Sequence, residues 1–119
     1  MARKMLAWLA FLVLTTVSAA AECRYGPVTF CDGCTLQRSI TVPRNEACEF
    51  VGYIQNGSFR GFDVVERPKR GSFGVHSPTF AAYRAGAKSG ADRFVYRVKW
   101  EVGGRPHVAT IVNTVTITD

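Results

Sequence analysis

The stretch RFVYRVKWEV, residues Arg93 to Val102, shows the clearest alternation of apolar and polar side chains in the 119-residue chain. Its apolar side chains occupy every second position: Phe94, Tyr96, Val98, Trp100 and Val102. A period of two is the repeat of a β-strand, because successive side chains of a strand point to opposite faces of its sheet. The stretch therefore predicts a long strand with one face in a core, and it sets the fold class of the chain.

Shorter β-rich runs surround this strand, and turn residues separate them. Upstream lie SITV (39–42), CEFVGYI (48–54), FDVVER (62–67), SFGVH (72–76) and TFAAY (79–83), with a strong turn signal at Asn56-Gly57. Downstream, Gly103-Gly104 predicts a turn that leads into a second long strand, HVATIVNTVTIT (107–118). The apolar phase of this last run slips near Val112-Asn113, which predicts a β-bulge there.

The pattern as a whole favours a sandwich of two sheets. No run after residue 21 shows a helical repeat. About seven strands, with turn signals roughly 8 to 12 residues apart, predict an all-β, immunoglobulin-like antiparallel β-sandwich. The predicted core consists of residues at strand spacing: Phe50, Val64, Phe73, Phe80, Tyr83, Phe94, Tyr96, Val98, Trp100, Ile111, Val115 and Ile117.

Residues 1–21 have the composition of a secretory signal peptide. Arg3 and Lys4 precede an apolar run over residues 5–17, and small residues follow at 18–21. A membrane helix needs about 20 apolar residues, and this run is shorter. We therefore expect cleavage after Ala21, a mature chain without a membrane span, and a single secreted or periplasmic domain over residues 22–119.

All four cysteines lie in the first part of that domain, residues 22–50: Cys23, Cys31, Cys34 and Cys48. An even number of cysteines in a small exported domain predicts two disulfides that brace this N-terminal portion. Three pairings are open. Because a Cys31–Cys34 bridge closes a very small ring, we expect each of these two residues to join a different outer cysteine.

Two other interpretations of the Cys31/Cys34 pair are weaker. The spacing suits a zinc knuckle, but the remaining cysteines do not form a second pair. A thioredoxin-like redox pair needs a helix start, whereas the following TLQRSITVP (35–43) ends as a strand.

The charge of the mature domain is mildly positive, with thirteen basic residues against nine acidic ones once Arg3 and Lys4 are removed. The basic residues are scattered, so the balance favours solubility, and no nucleic-acid partner is expected. The densest group is the predicted turn Arg67 to Arg70. Together with Arg60, its residues Arg67, Lys69 and Arg70 are the predicted contact for an acidic glycan or a lipid headgroup.

Side chains that could carry out catalysis are few and dispersed. His76 and His107 have no metal-ligand spacing, and both are expected at the surface. No nucleophile elbow is present, and the carboxylates do not cluster in sequence. The sequence therefore predicts no catalytic residue, no metal and no cofactor. A thiol-disulfide oxidoreductase or a small envelope hydrolase is the alternative.

Residues 62–118 resemble the bacterial immunoglobulin-like and cadherin-like repeats of large surface adhesins. The resemblance rests on Pro68 and Gly71 at a turn, on Tyr83, and on four residues that lead into the long strand: Gly90, Asp92, Phe94 and Tyr96. The chain departs from the family at Ala85 and Lys88, where the repeats usually have a proline and an aromatic residue. The resemblance implies a cadherin-like sandwich in cell adhesion. The calcium that acidic linkers hold in tandem repeats is not expected, since this chain has few acids.

These observations predict a non-catalytic binding or structural module of the bacterial envelope. Besides a glycan or a lipid headgroup, the expected partners include another protein chain that pairs with an exposed edge strand. From its place between the glycine turn and the long strand, Asp92 is expected to accept hydrogen bonds from loop amides.

Overall fold

The computed structural model describes residues 22–119, which form two packed β-sheets and contain no helix. The strands are β1 (Arg24–Tyr25), β2 (Thr35–Pro43), β3 (Ala47–Val51), β4 (Ser58–Glu66), β5 (Ser72–Ser77), β6 (Phe80–Arg84), β7 (Gly90–Val102) and β8 (Arg105–Thr118). The prediction of an all-β sandwich is confirmed. The predicted signal peptide lies outside the described residues.

The larger sheet has five strands in the order β1-β2-β8-β7-β4. Its centre is the β7–β8 hairpin, which turns at Gly103 and Gly104 with φ values of 58° and 78°. Such positive φ values are easy for glycine and costly for other residues, which explains why the chain turns there. The sequence predicts antiparallel pairing throughout, but β2 runs parallel to β8 from Thr35↔Thr110 to Pro43↔Thr118.

The smaller sheet has three antiparallel strands in the order β3-β6-β5. Taken with the order β4-β7-β8 in the larger sheet, this arrangement corresponds to that of an immunoglobulin-type sandwich. The two sheets differ in length, since β3 and β6 have five residues each while β7 has 13 and β8 has 14. Part of the larger sheet therefore extends beyond the smaller one.

The core between the sheets is largely the one that the period of two predicts. Phe94 and Tyr83 are fully buried, with their rings stacked at a centroid distance of 4.9 Å. Of the predicted core residues, Val64 and Phe80 are only half-buried. Ile40 and Val42, which the prediction omits, are fully buried on β2.

The predicted bulge near Val112-Asn113 is wrong. β8 pairs with β7 without a register shift through this region, with Asn113 opposite Phe94. The side chain of Asn113 is completely buried and makes hydrogen bonds in the core. Asn113 is therefore a buried polar residue at an inward position. In the sequence it interrupts the alternation of apolar residues, which resembles the phase shift of a bulge.

Two disulfides brace the N-terminal portion, as predicted, but the expected pairing is wrong. The bridges are Cys23–Cys48 and Cys31–Cys34, each with a Cα–Cα distance of 5.4 Å. The short ring closes because Gly33, at φ 76°, forms a tight turn in which the Cys34 amide donates to the Cys31 carbonyl at 3.2 Å. Two disulfides are typical of a protein that folds in an oxidising compartment.

Candidate functional site

A cleft opens where the larger sheet extends beyond the smaller one. The smaller sheet covers β7 around Phe94, whose ring lies 4.9 Å from that of Phe73 and 6.3 Å from that of Phe50. Farther along β7, Val98 and Trp100 still point inward and are buried, and both line the cleft. Apolar surface at this position must be covered by other parts of the chain.

Residues 23–34, which we call the strap, cover this part of β7. The ring of Phe30 lies 5.3 Å from that of Trp100 and 6.3 Å from that of Phe59. The loop after β3 approaches from the other side, with Gly52 against the ring of Phe59. A side chain at position 52 would meet this ring, so the glycine lets the loop approach closely.

Both ends of the strap are fixed to the sandwich. At its start, the Cys23–Cys48 bridge joins it to β3. At its end, the Gly33 amide donates to the Val108 carbonyl at 2.7 Å, and Oδ1 of Asp32 accepts from the Val108 amide at 2.9 Å. The strap is therefore a preformed wall that does not require a ligand to order it.

Between the strap and the loop after β3 lies a cavity of about 560 Å³. Eight of its seventeen lining residues are aromatic, and they include Tyr25, Phe30, Phe50, Phe59, Tyr96 and Trp100. At the rim, Val51 and Tyr53 are 73% and 75% exposed, respectively. Small-molecule sites have volumes of about 300–1,000 Å³ and are lined mainly by apolar and aromatic side chains.

Arg38 is a buried residue that lines this cavity. The side chain projects inward from β2, and the residue is only 9% exposed. Its Nε donates to Oδ1 of Asn113 at 2.9 Å, and its Nη2 donates to the hydroxyl of Tyr96. The guanidinium carbon also lies 4.6 Å from the ring centre of Phe50 and 4.9 Å from that of Tyr25. Cation–π contacts of this kind stabilise the guanidinium in an otherwise apolar site.

The predicted basic patch is divided in the structure. Arg67, Lys69 and Arg70 are exposed in the turn between β4 and β5. Arg60 lies near the other end of β4, roughly 20 Å away by strand rise, and forms an ion pair with Glu101 at 3.0 Å. The structure therefore brings three of the four residues together and separates the fourth. Their contact with an anionic ligand stays a prediction.

Asp92 shapes the turn that presents this patch. Its carboxylate is buried, and it accepts hydrogen bonds from the amides of Lys69, Arg70 and Gly71 at 2.9–3.2 Å and from the hydroxyl of Tyr83 at 2.7 Å. The predicted role of Asp92 as an acceptor for loop amides is confirmed. We call this group of residues the Asp92 cluster.

The hydrogen bonds of the Asp92 cluster also determine its ionisation. Burial by itself disfavours the charged carboxylate, but the bonds from Tyr83 and from the backbone amides lower the pKa of Asp92 below its usual value. Burial, together with the hydrogen bond to the neighbouring carboxylate, raises the pKa of the Tyr83 phenol far above its usual value. At neutral pH the cluster is therefore a carboxylate whose donors are all neutral.

The two histidines occupy different environments. His76 is exposed, as predicted. His107 is only partly exposed, and its half-buried ring stacks on that of Trp100 at 5.5 Å. Its Nδ1 lies 3.3 Å from Oδ2 of Asp32, close enough for an ion pair when the imidazole is protonated, though not aligned for a hydrogen bond. The pKa of Asp32 is lowered by the hydrogen bond from the Val108 amide and then by His107.

Within residues 22–119, no group of three or more His, Cys, Asp and Glu side chains is placed to hold a metal ion. The same part of the chain has no helix that is both long and apolar enough to cross a membrane.

Comparisons with known protein families, characterised proteins and solved structures gave no match for this chain. The resemblance to adhesin repeats therefore stays a prediction, and the site must be interpreted from its own geometry.

Arg38 is the residue of the cleft that the sequence analysis missed. The predicted strand starts at Ser39, whereas β2 starts at Thr35, so Arg38 lies outside the predicted strand. One signal was present, since Arg38 lies two and four residues before the apolar residues Ile40 and Val42. An arginine in the inward phase of a strand indicates a buried charge, which is rare unless the charge is paired or functional.

Proposed function

We propose that the protein is a non-catalytic binding module of the bacterial envelope, secreted or periplasmic, and that it holds a small apolar ligand in the cleft. The observation that carries the proposal is the cavity of about 560 Å³ with its eight aromatic lining residues. A cavity of this size accommodates a molecule of drug-like dimensions. Aromatic walls contribute large apolar contact areas with little conformational freedom to lose on binding.

The rim of the cleft supports the same proposal. Val51 and Tyr53 expose most of their surface to solvent beside the opening, and Tyr25 is 41% exposed on the strap. Apolar residues that cluster in this way around a concave surface are typical of a binding site. A ligand in the cleft would cover these side chains, and this would recover the free energy lost by exposing them.

The bracing of the strap fits a binding role as well. The Cys23–Cys48 bridge and the hydrogen bonds of Gly33 and Asp32 hold the wall in place before any ligand arrives. A preformed wall lowers the entropic cost of binding. The disulfide-bonded N-terminal portion would therefore contribute to ligand binding as well as to stability.

Strand addition by a partner chain stays a second prediction, and neither the edge strand β4 nor the edges of the smaller sheet favour it over the cleft. The free edge of β4 is interrupted by two bulges, between Phe59 and Gly61 and between Val64 and Glu66. The other sheet ends in strands of five and six residues. Bulges and short lengths make an edge a poor template for pairing. The alternative function, a thiol-disulfide oxidoreductase, also stays a prediction. The Cys31–Cys34 bridge that it would use lies in a tight turn.

The proposal can be tested with the neutral fluorescent dye N-phenyl-naphthylamine, which brightens in apolar surroundings. We expect saturable binding by the purified, oxidised protein. Thr29 lines the cavity from the strap and is exposed, so Thr29→Trp should fill the opening and weaken dye binding roughly tenfold or more. Thr114→Trp adds the same bulk on the exposed face of β8 and serves as the matched control.

Absence of saturable binding would overturn the proposed function. So would equal binding by the two tryptophan variants, because the dye would then occupy some other surface.

A further inference from the structure

Arg38 carries a buried positive charge for which residues 22–119 supply no carboxylate. The four ion pairs in this part of the chain involve Arg60, Arg93, Lys99 and His107. The two groups that accept hydrogen bonds from Arg38 are both neutral. Asn113 is an amide, and burial raises the pKa of the Tyr96 phenol, so that it keeps its proton at neutral pH. The charge is thus largely withdrawn from solvent without a compensating anion.

The guanidinium of Arg38 also has N–H groups that make no hydrogen bond within the described residues. An arginine side chain carries five N–H groups, and the bonds to Asn113 and Tyr96 use two of them. Nη1 and the second hydrogen of Nη2 have no partner among the described residues, and Arg38 itself lines the cavity. The rings of Phe50 and Tyr25 and the two bonds hold the guanidinium in one orientation. A guanidinium that is held in one orientation and has free N–H groups can bind a carboxylate through two parallel hydrogen bonds.

We infer that the cleft recognises a small amphipathic carboxylate, with its apolar body against the aromatic wall and its carboxylate on Arg38. The inference rests on the proposed function and names the class of ligand. Two observations carry it: a buried guanidinium without a counter-charge, and a large apolar cavity that leads to it. A buried charge without a partner is costly, and a ligand that supplies the opposite charge recovers that cost on binding.

A purely structural role for Arg38 makes a different prediction. In that case Arg38 would act only through its cation–π contacts and its hydrogen bonds to Asn113 and Tyr96. The cleft would then bind neutral and anionic molecules of equal size equally well. The charge of the ligand therefore separates the two roles.

The experiment measures displacement of N-phenyl-naphthylamine by decanoate, decanol and decylamine at neutral pH. These molecules share an apolar chain and differ in the charge of the head group. We expect decanoate to displace the dye at a concentration roughly tenfold or more below that of decanol, and decylamine to be the weakest of the three. In Arg38→Met the preference for decanoate over decanol should disappear, so that the two molecules displace the dye at similar concentrations. Arg38→Lys keeps the charge without the guanidinium and should retain only part of the preference.

Arg97→Met is the matched control, because it removes an exposed arginine from β7 and should leave the preference unchanged. Thermal unfolding of each variant checks that it is folded. Because the comparison of decanoate with decanol is made first on the wild type, it does not depend on any variant folding.

The possible results distinguish the two proposals. Equal competition by decanoate and decanol would overturn the carboxylate inference and leave the apolar site standing. Loss of the decanoate preference in Arg97→Met as well as in Arg38→Met would also overturn it, because the effect would then reflect net charge. If the dye does not bind to the wild type, the proposed function fails, and the inference fails with it.

Discussion

Asp92 and Arg38 are both buried charged side chains of the larger sheet, and their surroundings satisfy them in opposite ways. Asp92 accepts hydrogen bonds from Tyr83 and from the amides of the turn after β4. Arg38 donates to two neutral groups and has N–H groups left over beside an open cavity. The first arrangement is complete within the chain, whereas the second is not.

The difference indicates which polar group is structural and which is available for a ligand. A carboxylate with a full set of donors stabilises the turn around it and has nothing further to offer a ligand. A guanidinium with unused donors in a preformed apolar cleft can still gain free energy from a partner. Substitutions in the Asp92 cluster should therefore change stability without changing binding, and substitutions in the cleft should change binding.

The largest effect is expected for Asp92→Ala. The change leaves the Tyr83 hydroxyl and the turn amides without an acceptor, so the free energy of unfolding should fall by roughly 3 kcal/mol or more. Asp63→Ala is the control, because its ion pair with Lys99 at 3.1 Å is exposed and should contribute less than about 1 kcal/mol. Urea unfolding measures both. The contrast between Asp92 and Arg38 would not hold if Asp92→Ala and Asp63→Ala were equally stable, or if folded Asp92→Ala no longer bound N-phenyl-naphthylamine.

Opening the bridge at the start of the strap should affect both stability and binding. The Cys23–Cys48 bridge has a sequence separation of 25 and the Cys31–Cys34 bridge one of 3, and a longer closed loop restricts the unfolded chain more. We expect Cys23→Ser with Cys48→Ser to cost about 3 kcal/mol, and Cys31→Ser with Cys34→Ser about 2 kcal/mol.

The first double variant should also bind N-phenyl-naphthylamine more weakly, since it frees the wall of the cleft. Thermal unfolding and dye titration of the two double variants test this. A first variant with full dye affinity would show that the strap does not need its bridge.

The smallest expected effect is on the acid dependence of stability. Because the folded-state pKa of Asp92 is lowered, its contribution is present above the unfolded-state value of about 4 and is lost as the pH falls through the folded-state value. The stability difference between the wild type and Asp92→Asn should therefore be largest near neutral pH and should shrink below about pH 4. Urea midpoints between pH 7 and pH 3 give the measurement. A difference that does not change over this range would mean that the carboxylate has no special role in the cluster.

The sequence predicted the sandwich well because the period of two survives in the long strands. Phe94, Tyr96, Val98 and Trp100 alternate over β7, and all four are buried. Two starts of strands were missed. β4 begins at Ser58 rather than Phe62, and β2 begins at Thr35 rather than Ser39. In both segments polar residues or glycines interrupt the apolar pattern, and pairing with a neighbouring strand decides where the strand begins.

The candidate site was largely hidden from the sequence. The predicted basic patch rests on proximity along the chain, but Arg60 lies at the far end of β4 from Arg67. The cleft instead combines residues from the strap, from β2 and from β7 that are distant in sequence. Asp92 is predicted as an acceptor from its place between the glycine turn and the long strand, whereas its partners, the amides of the turn after β4, are known only from the structure. The partners of Arg38 carry no such local signal.

The sequence by itself determined the strand period, the two-sheet class, the bridged state of the four cysteines and the role of Asp92, because each depends on local spacing or on residue type. Only the tertiary structure decided the cysteine pairing, the parallel placement of β2 beside β8, and the cleft. These depend on which segments meet in space: the difference in length between two sheets left an apolar face open, and the strap and Arg38 came together there.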